Sequence, residues 1–237
     1  MNSNTLLFNE FQHVGVDYND NSKVEVYDKE MGSFRDFEAE SKNIIKQIDL
    51  KPGHRVIELG TGTGNFAIAA AKICKEVFAV DISKTMLQNA QMKADQNDVH
   101  NIQFIHAGFL SYEHTGELAD TIATKIALHH LPDFWKQIAL CKMNRMLKTG
   151  GLLYLADQIY SFPVDQYKEK LQEWIDYNGE RSQMENFRKD VEMSVTEEYS
   201  TFLWIMDQML INAGFSTDKL EHNDFYTVYL AKKEKEL

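Results

Sequence analysis

Residues 56–65 read VIELGTGTGN, where a run of apolar residues passes directly into three glycines at alternate positions. A strand that leads into a glycine-rich turn and then a helix brings the backbone close to a ligand, because glycine adopts positive φ without steric cost. In open α/β sheets, ligands bind at the carboxyl ends of the strands. The stretch therefore predicts an α/β fold with a ligand site at the end of its first strand.

The glycine spacing and the acid before it indicate which ligand suits this turn. A dinucleotide fingerprint would read G-x-G-x-x-G, whereas the spacing here is G-x-G-x-G. Glu58 precedes the first glycine by two residues, where a carboxylate opposes a pyrophosphate but suits an ammonium group. Asp81 follows the turn by about 20 residues, where an acid meets ribose hydroxyls in Rossmann-type sites. The pattern favours a cationic amino-acid nucleoside over NAD.

Apolar runs alternate with helical patterns along most of the chain. Strands are predicted at residues 55–59, 76–80, 102–106, 121–125 and 152–156, and helices at 36–48, 65–75, 83–97 and 132–147. We expect no full helix between the third and fourth strands, because their connection is short. Such alternation indicates βαβ units and a mostly parallel sheet.

The pattern changes after the fifth predicted strand. Two polar helices are predicted at 164–177 and 184–193, followed by a stronger helix at 195–213. Two further strands, at 215–220 and 225–231, form an antiparallel hairpin that closes the sheet and brings it to seven strands.

Composition limits the classes of partner. The formal net charge is −11, from 25 Lys+Arg against 36 Asp+Glu, and adjacent basic residues are few, with Lys232-Lys233 near the C-terminus among them. Such a chain repels phosphate backbones and anionic lipids, so nucleic acid is disfavoured as a substrate. Without a signal-peptide pattern or an apolar run of transmembrane length, we expect a cytoplasmic protein with no membrane contact. Cys74 and Cys141 are interpreted as buried thiols in a reducing compartment.

Four motifs follow one another along the chain: ELGTGTG at 58–64, VDISKTML at 80–87, ALHHLPD at 127–133 and LKTGG at 147–151. Their order and spacing resemble those of the class I methyltransferases, which use S-adenosylmethionine. The resemblance covers roughly residues 40–157 and the closing hairpin. It implies a Rossmann-like, mostly parallel seven-stranded sheet with helices on both faces, a C-terminal antiparallel hairpin and a helical cap insertion.

The chain divides into four parts on this interpretation. Residues 1–35 form an N-terminal lid, 36–157 the cofactor-binding core, 158–194 the helical cap insertion, and 195–237 the last helix and the hairpin that complete the core. The first of these parts is polar and weakly periodic, with isolated aromatic residues, so it cannot bury enough surface to order itself alone.

By the same resemblance, the cofactor is held by residues of the turn and of the following strand ends. These residues are Glu58, Gly60, Thr61, Gly62, Gly64, Asp81, Ile82, Met86 and Lys125. The turn would pack against the methionine part, with Glu58 ordering the loop and the ammonium group. Asp81 would hold the ribose diol, while Ile82 and Met86 would flank the adenine. Lys125 would contact the cofactor through its backbone.

One position departs from the family pattern. The family commonly carries an acid after the third strand that accepts a hydrogen bond from the adenine amino group, and Gly108 stands at that position here. Adenine recognition then falls to backbone groups, to stacking on Phe109 or to Glu113, and the sequence leaves these alternatives open.

In similar enzymes the N-terminal segment folds over the cofactor. Tyr18 and Tyr27 are the aromatic candidates for such a contact, and Tyr27 would cover the sulfonium with its ring face. Arg35 would meet the cofactor carboxylate. Ordinary packing and surface charge are the alternative interpretation of these residues.

Candidates for contact with the methyl acceptor follow the fourth and fifth strands. They are His129, His130, Asp157 and Tyr160. Histidine has an ordinary pKa suited to a base near neutrality, although the His-His pair is equally consistent with a structural role. Asp157 equally suits a loop cap. We find no cluster with metal-ligand spacing and expect no metal site.

The expected reaction is methyl transfer by in-line displacement to a small-molecule acceptor. Alternatives are a methyltransferase for RNA or protein, or a non-catalytic protein that binds S-adenosylmethionine. The Asn/Asp-Pro-Pro-Tyr motif of amino methylation is replaced by TKIA at 124–127. Whether the chain forms a homodimer is left open.

Overall fold

The computed structural model describes residues 6–12, 14–15, 24, 27–28, 31–33, 35–181 and 187–236. The strands are β1 (Arg55–Leu59), β2 (Glu76–Asp81), β3 (Ile102–His106), β4 (Ala119–Lys125), β5 (Leu147–Tyr160), β6 (Thr201–Phe202), β7 (Phe215–His222) and β8 (Tyr226–Lys233). The helices are α1 (Phe37–Gln47), α2 (Asn65–Ala71), α3 (Lys84–Gln96), α4 (Asp133–Met146), α5 (Tyr167–Arg181), α6 (Phe187–Glu197) and α7 (Leu203–Asn212).

Seven strands form a continuous sheet in the order β3-β2-β1-β4-β5-β8-β7, and the two-residue β6 pairs with the end of β5. β1 pairs in parallel with both β2 and β4, whereas β8 pairs antiparallel with β5 and β7. The predicted fold class is therefore confirmed, including the closing hairpin. The strand order reverses at β1, and such a switch point opens a crevice at the carboxyl ends of the strands.

The sheet is covered on both faces. β1 is buried along its whole length, as expected for a parallel strand between two helical layers. Side chains alternate between the faces, so Ile57 packs in the apolar cluster that contains Leu140 of α4, and Val56 packs in the cluster that contains Phe66 of α2. The core thus fixes the position of the turn that follows β1.

Several helix boundaries differ from the sequence predictions, and two of the differences have a clear structural cause. α2 ends at Ala71 and not at residue 75, because the Asn101 side chain donates to the carbonyl oxygens of Ala71 and Cys74 at 2.9 and 3.2 Å and stabilises a turn there. The helix predicted from residue 195 begins only at Leu203. Residues 195–197 are the last turn of α6, and Thr201 and Phe202 just before α7 are extended because they pair with β5.

The described part of the chain between β3 and β4 contains no helix, as predicted. β5 continues through Tyr160, two residues beyond the predicted start of the cap insertion. Cys74 and Cys141 are free thiols, the first buried and the second partly buried. Within the described ranges, no helix has the length and apolar character needed to cross a membrane.

Candidate functional site

The glycine-rich turn joins β1 to α2, and its three glycines have φ values of +76° (Gly60), +53° (Gly62) and +76° (Gly64). The Gly60 N–H donates to the carbonyl oxygen of Val80 at 2.9 Å. A Cβ atom on Gly60 would lie 2.5 Å from the Cβ of Ala127, whereas one on Gly62 would meet open space. Gly60 therefore lets the turn pack between strand ends, and Gly62 leaves the backbone open to a ligand.

Two buried carboxylates flank the turn. Glu58 accepts a hydrogen bond from the Thr61 hydroxyl at 2.5 Å, and Asp81 accepts from the N–H groups of Gly62 and Ser83, both at 2.8 Å. Burial raises the pKa of Glu58 to about 8 and also raises the pKa of Asp81. Both groups would therefore gain from a ligand that brings a positive charge or hydrogen-bond donors.

Most of the predicted cofactor residues surround one cleft at the carboxyl ends of the strands. The cleft encloses about 1490 Å³, including the part that opens to solvent. The predicted residues that line it are Tyr27, Arg35, Glu58, Gly60, Thr61, Gly62, Asp81, Ile82, Met86, Gly108, Phe109 and Lys125. The fold thus brings together residues from the N-terminal segment, the turn and the ends of three strands.

Two predicted cofactor residues are not placed in this lining. Gly64 precedes α2, and a Cβ atom there would lie 2.8 Å from the Cβ of Ala90 in α3. Its position accounts for close packing between α2 and α3. Tyr18 lies outside the described residues.

Arg35 and Lys125 share the carboxylate of Glu40, a residue that no sequence motif marks. Glu40 of α1 accepts from Arg35 Nε at 3.1 Å and Nη2 at 2.7 Å, and it also pairs with Lys125 Nζ. Burial acts against ionisation, but these hydrogen bonds hold the pKa of Glu40 below its usual value. This network holds the Arg35 guanidinium and the Lys125 ammonium group at the cleft, and both groups contact Glu40 through their side chains.

The N-terminal segment supplies a second carboxylate that sequence reasoning missed. Glu10 is buried in the cleft wall and accepts from the backbone N–H groups of Leu110 and Ser111 at 2.8 and 2.7 Å. A Cβ atom on Gly108 would lie 2.5 Å from the Glu10 carboxyl group. Glu113, by contrast, is exposed, pairs with Lys142 and does not line the cleft.

A third N-terminal contact reaches the glycine-rich turn. Asp28 accepts from the Thr63 hydroxyl at 2.6 Å, from Asn65 Nδ2 at 3.2 Å and from Lys93 Nζ at 2.6 Å. Burial opposes ionisation of Asp28, yet the hydrogen bonds from Lys93 and Thr63 lower its pKa. The described N-terminal residues are thus attached to the turn and to the loop after β3.

Ile126 directly follows β4 and has a φ of +50°, which is unusual for a β-branched residue. Its N–H donates to the carbonyl oxygen of Ala156 at 2.8 Å, and the residue lines the cleft. Strained backbone of this kind persists where the surrounding structure holds it, and it is frequent at functional sites.

His129 is buried against two carboxylates. Asp157 Oδ2 accepts from the His129 backbone N–H at 3.0 Å, and Asp157 Oδ1 lies 2.5 Å from the ring Nδ1. Glu198 Oε2 lies 3.3 Å from Nε2. Burial disfavours the imidazolium, but the charges of Asp157 and Glu198 raise the pKa of His129 overall. This arrangement fixes the turn on which the next residue, His130, stands.

Of the four candidates for acceptor contact, His130 lines the cleft, and His129, Asp157 and Tyr160 do not. The Tyr160 ring packs against Phe162 at a centroid distance of 5.1 Å, in a group of aromatic residues beside the last strand. His129, His130 and Glu198 could hold a metal ion, since they bring one potential ligand atom each within 4.8 Å of one another. Sequence spacing did not indicate this group because Glu198 lies far along the chain.

Comparison with known proteins gives matches over nearly the whole chain. A sequence profile described as a methyltransferase domain matches residues 56–151. An uncharacterized methyltransferase of Geobacillus kaustophilus is 30% identical over 211 residues, which cover 89% of this chain and 90% of that protein.

Solved structures share the architecture. A S-adenosylmethionine-dependent methyltransferase from Clostridium acetobutylicum matches with a TM-score of 0.68 and 15% identity, over 91% of this chain and 99% of that chain. The magnesium protoporphyrin IX methyltransferase of Synechocystis, solved with bound S-adenosylmethionine, matches with a TM-score of 0.56 and 16% identity, over 95% and 88%. At these identities the structural likeness supports the fold.

Proposed function

We propose that this chain, which belongs to the class I S-adenosylmethionine-dependent methyltransferases, transfers the methyl group to a small-molecule acceptor inside the cleft. Methyl transfer from a sulfonium is an in-line displacement, in which the acceptor forms a bond to carbon as the bond to sulfur breaks. The alignment of acceptor, methyl group and sulfur supplies much of the rate. The fold must therefore hold cofactor and acceptor face to face.

The proposal of a small-molecule acceptor rests on the described N-terminal residues that cover the cleft, which we call the roof. Glu10, Phe11 and Tyr27 of the N-terminal segment line the cleft together with Gly60 and Asp81 of the sheet ends. An acceptor that reaches the methyl group must fit a space bounded on both sides. Partial cover of this kind restricts access from solvent and suits a small molecule better than a folded macromolecule.

We expect each polar group of the cofactor to lie beside a side chain of the cleft that complements it. Asp81 suits the ribose hydroxyls, and Glu58 suits the ammonium group of the methionine part. Arg35 uses two of its N–H groups on Glu40 and retains donors for the cofactor carboxylate. Each expected contact pairs a group on the cofactor with a side chain of opposite charge or complementary hydrogen bonding.

His130 is the residue that we propose for direct contact with the acceptor, because its imidazole lines the cleft. A general base is required only if the acceptor carries a proton that must leave. His129 and Asp157 would then act as positioning residues, since their hydrogen bonds fix the turn that presents His130.

Methylation of RNA or protein is the competing function within the same enzyme class. The net charge of −11 opposes approach to a phosphate backbone, and the roof opposes entry of a protein chain. These two features favour the small-molecule acceptor, and an assay with a labelled methyl group distinguishes small molecules, RNA and protein as acceptors.

The test uses S-adenosylmethionine with a labelled methyl group and a cell extract divided into metabolites, RNA and protein. We expect label in the metabolite fraction. His130→Gln should lower turnover about hundredfold if His130 is the base, with unchanged affinity for S-adenosylhomocysteine. His100→Gln is the control, because His100 is exposed and pairs with the surface residue Asp98. Label confined to RNA or protein would overturn the small-molecule acceptor.

A further inference from the structure

The loop after β3 is shaped to receive a side chain from the N-terminal segment. Both carboxylate oxygens of Glu10 accept backbone N–H groups there, at 2.8 Å from Leu110 and 2.7 Å from Ser111. Glu10 is only 8% exposed. A Cβ atom at position 108 would lie 2.5 Å from its carboxyl group, so glycine at this position leaves the carboxylate room where it now lies. The loop therefore holds this carboxylate at a defined place in the cleft wall.

Apolar side chains lie beside the Glu10 carboxylate on the side away from these N–H groups. The same Cβ position on Gly108 lies 2.8 Å from Ile82 Cγ2, so Glu10, Gly108 and Ile82 meet at one corner of the cleft. Met86 and Phe109 line the cleft as well. A flat heterocycle could lie on these apolar side chains with one polar edge directed at the carboxylate.

The cofactor offers few hydrogen-bond donors to such a group. They are the ammonium group, the two ribose hydroxyls and the 6-amino group of adenine. Glu58 and Asp81 stand at the glycine-rich turn and suit the first two. An ionised carboxylate accepts hydrogen bonds only, and it has about four lone-pair positions, of which the backbone N–H groups of the loop use two.

We propose that Glu10 accepts a hydrogen bond from the adenine 6-amino group and makes the cofactor site selective for adenine over a 6-oxopurine. A 6-oxopurine presents a carbonyl oxygen at that edge, and two acceptors would then face each other. A site built to pair with one polar group rejects an analogue that lacks it, because the partner is left unsatisfied. The segment that roofs the cleft would thereby also recognise the base.

The experiment compares two ligands by calorimetry on the full chain: S-adenosylhomocysteine and S-inosylhomocysteine, its 6-oxo analogue. The wild type should bind the adenine ligand about tenfold to hundredfold more tightly, as expected for one hydrogen bond to a charged group. In Glu10→Gln, whose amide can donate to the 6-oxo group, the two affinities should agree within about threefold. Glu113→Gln should preserve the wild-type preference, because Glu113 does not line the cleft.

The ratio of the two affinities distinguishes base recognition from a merely structural role of Glu10. If Glu10 only attaches the segment to the loop, Glu10→Gln lowers the affinities for both ligands by the same factor. The ratio of the two affinities then stays at the wild-type value, which overturns the proposal. Equal affinities in the wild type overturn it without any variant. If Glu10→Gln does not fold, Glu10→Asp keeps the carboxylate and should retain the preference for adenine. The inference rests on the proposed placement of the cofactor, and failure of both ligands to bind would overturn that placement instead.

Discussion

Burial of Glu58 predicts that cofactor binding releases a proton. In the unliganded protein, burial raises the pKa of Glu58 from 4.5 to about 8, so the carboxyl group is protonated at neutral pH. An ammonium group beside it favours the ionised form. We therefore expect the complex to contain ionised Glu58, with the proton transferred to solvent when S-adenosylhomocysteine binds.

The size of the effect follows from the pKa. A group with a pKa of about 8 is protonated in about nine-tenths of the molecules at pH 7, so binding should release about 0.9 proton. Because the complex binds fewer protons than the free protein, affinity should rise with pH until about 8 and then level off. The rise cannot exceed about tenfold per pH unit for one proton.

Calorimetry at pH 7 in two buffers with different ionisation enthalpies measures the released proton directly. The apparent binding enthalpies should differ in proportion to the buffer enthalpies, and Glu58→Gln should remove that difference while Glu113→Gln preserves it. Equal enthalpies in both buffers for the wild type would show that Glu58 does not change its protonation, and its assignment to the ammonium group would be wrong.

Three further outcomes are expected. Asp81→Ala should lower the affinity for S-adenosylhomocysteine at least about tenfold in a calorimetric titration, because charged hydrogen bonds are lost. Unchanged affinity would show that the ribose site lies elsewhere. Gly60→Ala should lower the melting temperature and the affinity, because position 60 has a φ of +76° and too little space, whereas Gly53→Ala meets open space and should be near neutral. Since the pKa of Glu58 is higher in the fold than its ordinary 4.5, the unfolding free energy of the unliganded protein should fall as pH rises from 4.5 to about 8, and denaturant titrations of Glu58→Gln should lack that fall.

The fold could be predicted from sequence because its signals are local and repeated. The strand at Arg55–Leu59 and that at Ile102–His106 have the predicted boundaries, since short apolar runs end at turns that the sequence marks clearly. Tertiary contacts override local pattern elsewhere. Residues 201–202 read as helix but pair with β5, because a free strand edge and the Thr201 bond to Asp133 favour extended backbone there.

The predicted residues that line the cleft lie mostly in motifs, and Tyr27 and Arg35 come from the family resemblance alone. Glu58, Gly60 and Asp81 stand in runs whose spacing carries the ligand chemistry. Glu10 and Glu40 reach the cleft through packing of the N-terminal segment and α1, and no spacing marks them. The contact of Glu10 with the loop after β3 joins residues about a hundred positions apart, which only the folded chain brings together.

The N-terminal segment and the cofactor site depend on the same parts of the fold. Glu10 attaches the segment to the loop after β3, and Asp28 attaches it to the side chains of the glycine-rich turn through Thr63 and Asn65. A ligand that orders the turn and the loop must therefore strengthen the docking of the segment. Docking of the segment must increase the affinity for that ligand by the same factor. We therefore expect docking of the described N-terminal residues to be coupled to cofactor binding through Glu10 and Asp28, since each of them contacts an element that the cofactor is expected to touch.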